Sequence, residues 1–172
     1  MSIDDRLIEL SIDLPSPMNT AKLPFQLAKI DGTTMFLAGH VPTDQDGNVA
    51  KPLGKVGDEI SPEEAYQIAR QAALGLLATI KQTLGGLDRV ASWLHLFGMV
   101  NVAPGFNAIP PVINGASDLI LEVFGPEVGS HTRSAVGMAE LPFGVPVELE
   151  AQIKIKPVSY THLRAHETEA DL

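Results

Sequence analysis

The 172-residue chain has no cysteine. That excludes disulfides, thiolate catalysis, iron–sulfur clusters and cysteine zinc sites together, and it fits a reducing compartment. Cations are scarce: 12 Lys+Arg stand against 21 Asp+Glu, a formal net charge of −9. Such a surface repels phosphate backbones, because nucleic-acid affinity depends on cations that displace condensed counterions. Broad nucleic-acid binding is therefore disfavoured. No stretch approaches the roughly 20 apolar residues that a bilayer-crossing helix needs. Neither GxGxxG nor GxxxxGK[ST] occurs, so no phosphate cradle is signalled, and without HExxH or dense histidine spacing no metal site is expected. Met1–Leu14 carries Asp4, Asp5, Glu9 and Asp13 in place of a basic start and apolar run, so no secretory signal is read there and a cytoplasmic location is expected.

What is present is the composition of one globular domain, 45% hydrophobic and 19% charged. Phe25–Ile30 and Thr33–Ala38 read as strands around an Asp31-Gly32 turn. Gly39–Asp58, rich in proline and glycine, reads as a loop. Ser61, Pro62 and Glu64 form a helix start, with Ser-x-x-Glu as a capping box. Ala65, Ile68, Ala69, Ala72, Leu76, Ile80 and Leu84 then make one apolar stripe, and Gly85-Gly86 ends it. Val90 to Val102 is apolar on both faces, the pattern of a strand covered on both sides. A second helix starts at Pro110-Pro111 and stops at Gly125-Pro126. His131–Ala139 and Val145–Ile155 complete the strands. The order is β-β-α-β-α-β-β, or β-β-α-β-α-β with the last pair counted loosely: an α+β domain spanning 1–157, with two helices on one face of a mixed sheet. The other face needs a partner, and self-association supplies one economically. Val158–Leu172 is polar and aperiodic and is read as a disordered tail foreign to the native product, its His162 and His166 being incidental.

Arg133 is the first candidate for chemistry. Side chains alternate along a strand, so it shares a face with Ala135, Gly137 and Ala139, small residues that leave space for a carboxylate to meet the guanidinium fork. The competing reading is an arginine that snorkels into solvent or pairs with a local acid. Glu148 and Glu150 share the polar face of the last strand and can relay protons if buried; otherwise they are its solvated side. Hairpin geometry would set Arg133 nearer Gln152 than Glu148, so a shared site requires a bulge or a neighbouring subunit. His40 follows the small Ala38-Gly39 corner, where backbone can approach a ligand. His95 reads as a hydrogen-bonded core residue, and His131 as exposed.

Phe36-Leu37-Ala38-Gly39-His40, the helix with Asn114, Arg133-Ser134-Ala135-Val136, Leu141-Pro142 and Val147-Glu148-Leu149-Glu150-Ala151 together resemble the RidA/YjgF reactive-intermediate deaminase family. The likeness runs from about Pro24 to Ile155 and points to a divergent, endoribonuclease L-PSP or chorismate-mutase-like branch. It implies a chorismate-mutase-like fold, three subunits packed sheet to sheet, and small-molecule clefts between them. It further implies an arginine that grips the carboxylate of a 2-imino or 2-enamino acid and a glutamate that helps place the hydrolytic water, yielding 2-oxo acids and ammonia. Arg133 and Glu148 match those two residues, Asn114 a cleft asparagine, and Gly39 a glycine whose backbone faces the ligand. Phe25 stands where the family commonly has tyrosine, Ala38-His40 where it often has Ser-Gly-Gln, and Ala135 where it has cysteine. Phe25 and His40 are counted among the binding residues. The resemblance implies no metal or organic cofactor. These departures favour, as a rival, a carboxylate-binding or regulatory trimer without turnover; a ribonuclease is the third reading.

Overall fold

The computed structural model describes residues 1–157; the expectation for Val158–Leu172 lies outside them. Two strands open the sheet, β1 (Ala28–Asp31) and β2 (Thr34–His40). Their register pairs Asp31 with Thr34, so the turn is Gly32-Thr33, one residue later than expected. Gly32 takes φ 59°, the positive value that a first turn position demands and that costs glycine least. The first strand also begins later, leaving Phe25 exposed ahead of it.

The long helix, running Pro62–Leu84, forms where its cap and stripe require. Ser61 Oγ accepts from the Glu64 N–H at 3.1 Å, and Gly85 closes the helix in the left-handed conformation at φ 77°. Among the described residues no return bond from the Glu64 side chain completes the box. A helix missed by the sequence reading precedes it. Ile3–Glu9, which we label α1 (so Pro62–Leu84 is α2), carries a full capping box between Ser2 and Asp5. It is pinned by Asp88 Oδ1, which accepts from the Ile3 N–H at 2.9 Å, and by a Lys81–Asp4 ion pair at 2.7 Å. The acids there are cap and surface groups.

Strand β3 (Val90–Asn101) leads into helix α3 (Ile109–Gly129), which returns to β4 (Thr132–Met138). A parallel partner needs such a crossover, and β3 and β4 are parallel. The helix breaks at Gly125 (φ 72°, ψ 172°), as its Gly-Pro pair foretells, before one last turn. β5 (Val147–Ile155) inserts between β2 and β3, giving the order β1-β2-β5-β3-β4. The last two strands are thus not a hairpin; β3 lies between them.

Both large helices cover one face. Met35, Leu37, Leu96, Val100, Leu149 and Ile153 from the sheet pack with Leu76, Leu77, Ile80, Leu119 and Ile120 from the helices, all 3% exposed or less. Each such side chain contributes about 1.5–3 kcal/mol. The opposite face carries a smaller cluster of Val41, Met99, Leu141 and Val145, with Phe97, Val136 and Met138 against it. That cluster covers only part of the second face, where Phe36 remains 44% exposed. Among the described residues no helix is long and apolar enough to cross a membrane.

Candidate functional site

The matched residues fall into two groups. Arg133, at the foot of the edge strand β4, turns toward α3. Its Nη1 donates to Asn114 Oδ1 at 2.8 Å and to Ser117 Oγ at 3.1 Å, and its Nη2 lies 3.5 Å from the Pro110 carbonyl. Asn114 and Ser117 are three apart on one helix face, so both reach the same cation. Each Nη1 hydrogen has an acceptor. Nε has none among the described residues, and Nη2 carries two hydrogens against the single long contact to the Pro110 carbonyl; Nε and Nη2 form one edge of the guanidinium fork. A shallow cleft of about 270 Å³ lies beside Arg133, lined by Ser117, Leu121, Ser130, His131 and Arg133.

The small residues around Arg133 do not make a ligand floor. Ala135 packs against the core, and a Cβ at Gly137 would come within 3.0 Å of Ile109 and Val102 side chains. A Cβ at Gly98, on the neighbouring strand, would collide with Ile113. These positions are small because α3 lies tightly on the sheet. Ser134, Val136 and Met138 point to the opposite side, where Val136 and Met138 join the smaller cluster.

The second group is Glu148 with Gly39. Val147 and Leu149 are fully buried under the helices, so alternation puts Glu148 on the other side of the sheet. Its carboxylate lies against the Gly39 backbone, and a Cβ there would collide with Oε1. Burial, then the charge of Glu150, pushes the Glu148 carboxyl above the usual glutamate range. The β2–β5 register slips between Leu37 and His40, a bulge that puts two residues, Ala38 and Gly39, at this corner. The bulge also turns His40 inward. At 5% exposure its Nε2 meets Thr79 Oγ1 at 2.8 Å and its Nδ1 donates to the Ala38 carbonyl at 2.7 Å, while burial lowers its pKa. In this protomer His40 is a core strut with its ring turned away from the corner.

Within one chain Arg133 and Glu148 do not meet. Arg133 is level with Leu96 and Ala151, whereas Glu148 is level with Met99 and Val136, three residues along and on the opposite face. His95 departs from its reading as a core residue: it is half-buried, donor or acceptor to Thr132 Oγ1 at 3.0 Å, and lines a groove of about 270 Å³ with Phe36, Phe97, Glu150 and Gln152. His131 is half-buried rather than exposed, and its ring lies 6.4 Å from that of Trp93. Ser117, and its pairing with His131, escaped the sequence reading because nothing in their spacing, 14 residues apart, announces that the two meet at 3.0 Å.

Residues 4–145 match the family described as "YjgF/chorismate_mutase-like, putative endoribonuclease". Protein TCP17 of Trypanosoma cruzi is 40% identical over 124 residues, covering 72% of this chain and 76% of that protein. The structure of Atu1372 from Agrobacterium tumefaciens, a protein of unknown function, superposes with a TM-score of 0.81 at 36% identity, over 90% of this chain and 92% of that one. A "putative endoribonuclease" from Shewanella oneidensis superposes with a TM-score of 0.83 at 27% identity, over 90% of this chain and 100% of that one.

Proposed function

The chain belongs to the YjgF/chorismate-mutase-like family, and from that premise we propose that it hydrolyses reactive 2-imino or 2-enamino acids to 2-oxo acids and ammonia, in clefts between the subunits of a cytoplasmic homotrimer. One observation carries this reading: Arg133 is tethered through Nη1 to Asn114 and Ser117, while among the described residues Nε has no partner and Nη2, with two hydrogens, has only the long 3.5 Å contact to the Pro110 carbonyl. A held guanidinium with an open edge is prepared for a carboxylate, which it can take bidentately. Because Glu148 lies on the opposite face, the arginine of one subunit would work with the Glu148 and Gly39 corner of its neighbour.

In that cleft the substrate carboxylate sits on the Arg133 fork and presents C2 of the imine. Glu148 takes a proton from water as the oxygen bonds to C2 and passes it to the imine nitrogen, giving a neutral carbinolamine. Glu148 then takes the carbinolamine hydroxyl proton and hands it to the amine nitrogen as the C–N bond breaks, so ammonia leaves and a 2-oxo acid remains. A carboxyl raised toward neutrality suits a group that must both accept and return a proton. Fixing the carboxylate supplies orientation, which can account for several kcal/mol of a barrier. The net charge of −9 argues against RNA as substrate.

The test generates 2-aminoacrylate enzymatically and follows pyruvate release. Wild-type protein should accelerate release, and Arg133→Ala should lower kcat/KM by tenfold or more, the loss expected of about 1.5–3 kcal/mol from a charged hydrogen-bonding group. Equal release with and without wild-type protein overturns the deaminase reading for this substrate. Pyruvate binding that requires Arg133, without turnover, would instead support the binding-only trimer suggested by Ala38, Phe25 and Ala135. RNA cleavage that survives stringent purification would revive the ribonuclease.

A further inference from the structure

Ser117 and His131 occupy no position that the resemblance assigns, yet Ser117 bonds the Arg133 guanidinium and His131 bonds Ser117. For a neutral His131 ring, the direction of each bond between them follows from the donors and acceptors present. A guanidinium only donates, so Ser117 Oγ accepts from Nη1. A carbonyl only accepts, so His131 Nδ1 donates to the Gly129 carbonyl at 2.7 Å. A neutral ring protonated at Nδ1 offers Nε2 as an acceptor, and the Ser117 hydroxyl donates to it at 3.0 Å. The chain therefore runs from Arg133 through Ser117 and His131 to the backbone. Its anchor depends on the α3 break at Gly125, after which a last turn brings the Gly129 carbonyl beside His131.

We infer that Ser117 and His131 are positioning residues: Ser117, held by His131, fixes the Nη1 end of the Arg133 guanidinium together with Asn114, leaves the Nε–Nη2 edge as the bidentate face, and so selects a ligand with one planar carboxylate that enters side-on. This rests on the proposed role of Arg133 as the carboxylate grip. With both Nη1 hydrogens taken, a dicarboxylate cannot engage both edges of the fork. Leu121 and Ser130 line the rest of the cleft.

The experiment uses pyruvate as probe, with calorimetric titration of the full chain and long-range ¹⁵N–¹H correlation of its histidines. Wild type should bind pyruvate. Ser117→Ala should weaken binding about tenfold, since the cation loses one of its fixed acceptors. Ser117→Thr, which keeps the hydroxyl, should recover to within about twofold. His131 in the unmodified protein should show the Nδ1–H tautomer, a readout independent of whether any variant folds. Pyruvate bound equally by wild type and Ser117→Ala overturns the positioning role alone, as does an Nε2–H tautomer for His131. A wild type that does not bind pyruvate overturns the grip itself, and this inference with it.

Discussion

Glu148 and Gly39 show how one residue's chemistry is set by another's lack of a side chain. The carboxyl occupies the volume that a Cβ at Gly39 would fill, and its partial burial holds it above the ordinary glutamate range. In the unfolded chain it ionises at the ordinary value, so between the two values the native state binds more protons. The stability associated with neutral Glu148 is fully present below about pH 4 and is lost as pH rises through the folded value. Glu148→Gln retains the neutral form at every pH. It should therefore raise Tm relative to wild type at pH 7, by an amount that shrinks to nothing below about pH 4, while turnover falls. Differential scanning calorimetry across that range checks it; a gap that does not vary with pH would assign the effect to packing. His40 carries the opposite sign, since burial favours its neutral form and acid opposes it.

At the scale of elements, the close approach of helices to each other and to the sheet decides where Arg133 sits. A Cβ at Gly115 would collide with the Tyr66 carbonyl of α2, so α2 and α3 touch backbone to backbone at that point. Gly115→Val should cost about 1–3 kcal/mol by urea denaturation, because two packed helices must separate. Gly86→Ala is the contrast: a Cβ there meets nothing within 4 Å, and stability should change by less than about 0.5 kcal/mol. The start and stop of α2 were legible because Ser61 and Gly85 act on their own backbone neighbours. The small residues beside Arg133 were legible as a stripe but not as a helix bed. A period of two assigns side chains to faces; it does not say which face a helix will cover.

At the scale of the molecule, one face of the sheet is closed by helices and the other only partly by the smaller cluster. The candidate residues follow the same division, Arg133 with α3 and Glu148 on the open side. A trimer would resolve both, covering the open face and joining an arginine to a glutamate. Sedimentation equilibrium should give about three times the 18.3 kDa chain mass. Phe36→Glu, which places a charge on an exposed apolar position, should reduce that mass while far-ultraviolet dichroism is retained. A monomer at micromolar concentration in the wild type would sink the intersubunit site.

The amino-acid order alone determined the elements whose causes are local: the capped α2, the break at Gly125, the alternation that sets Val147 and Leu149 on one face of the last strand. It also marked Arg133, Glu148 and the Ala38-Gly39 corner as candidates by pattern, and the resemblance added Asn114. Only the tertiary structure decided that β3 separates β4 from β5, that His40 turns inward at a bulge, and that Ser117 links Arg133 to His131. The physical reason is distance along the chain. Caps and turns satisfy groups a few residues apart, whereas the partners of a guanidinium depend on how helix and sheet pack.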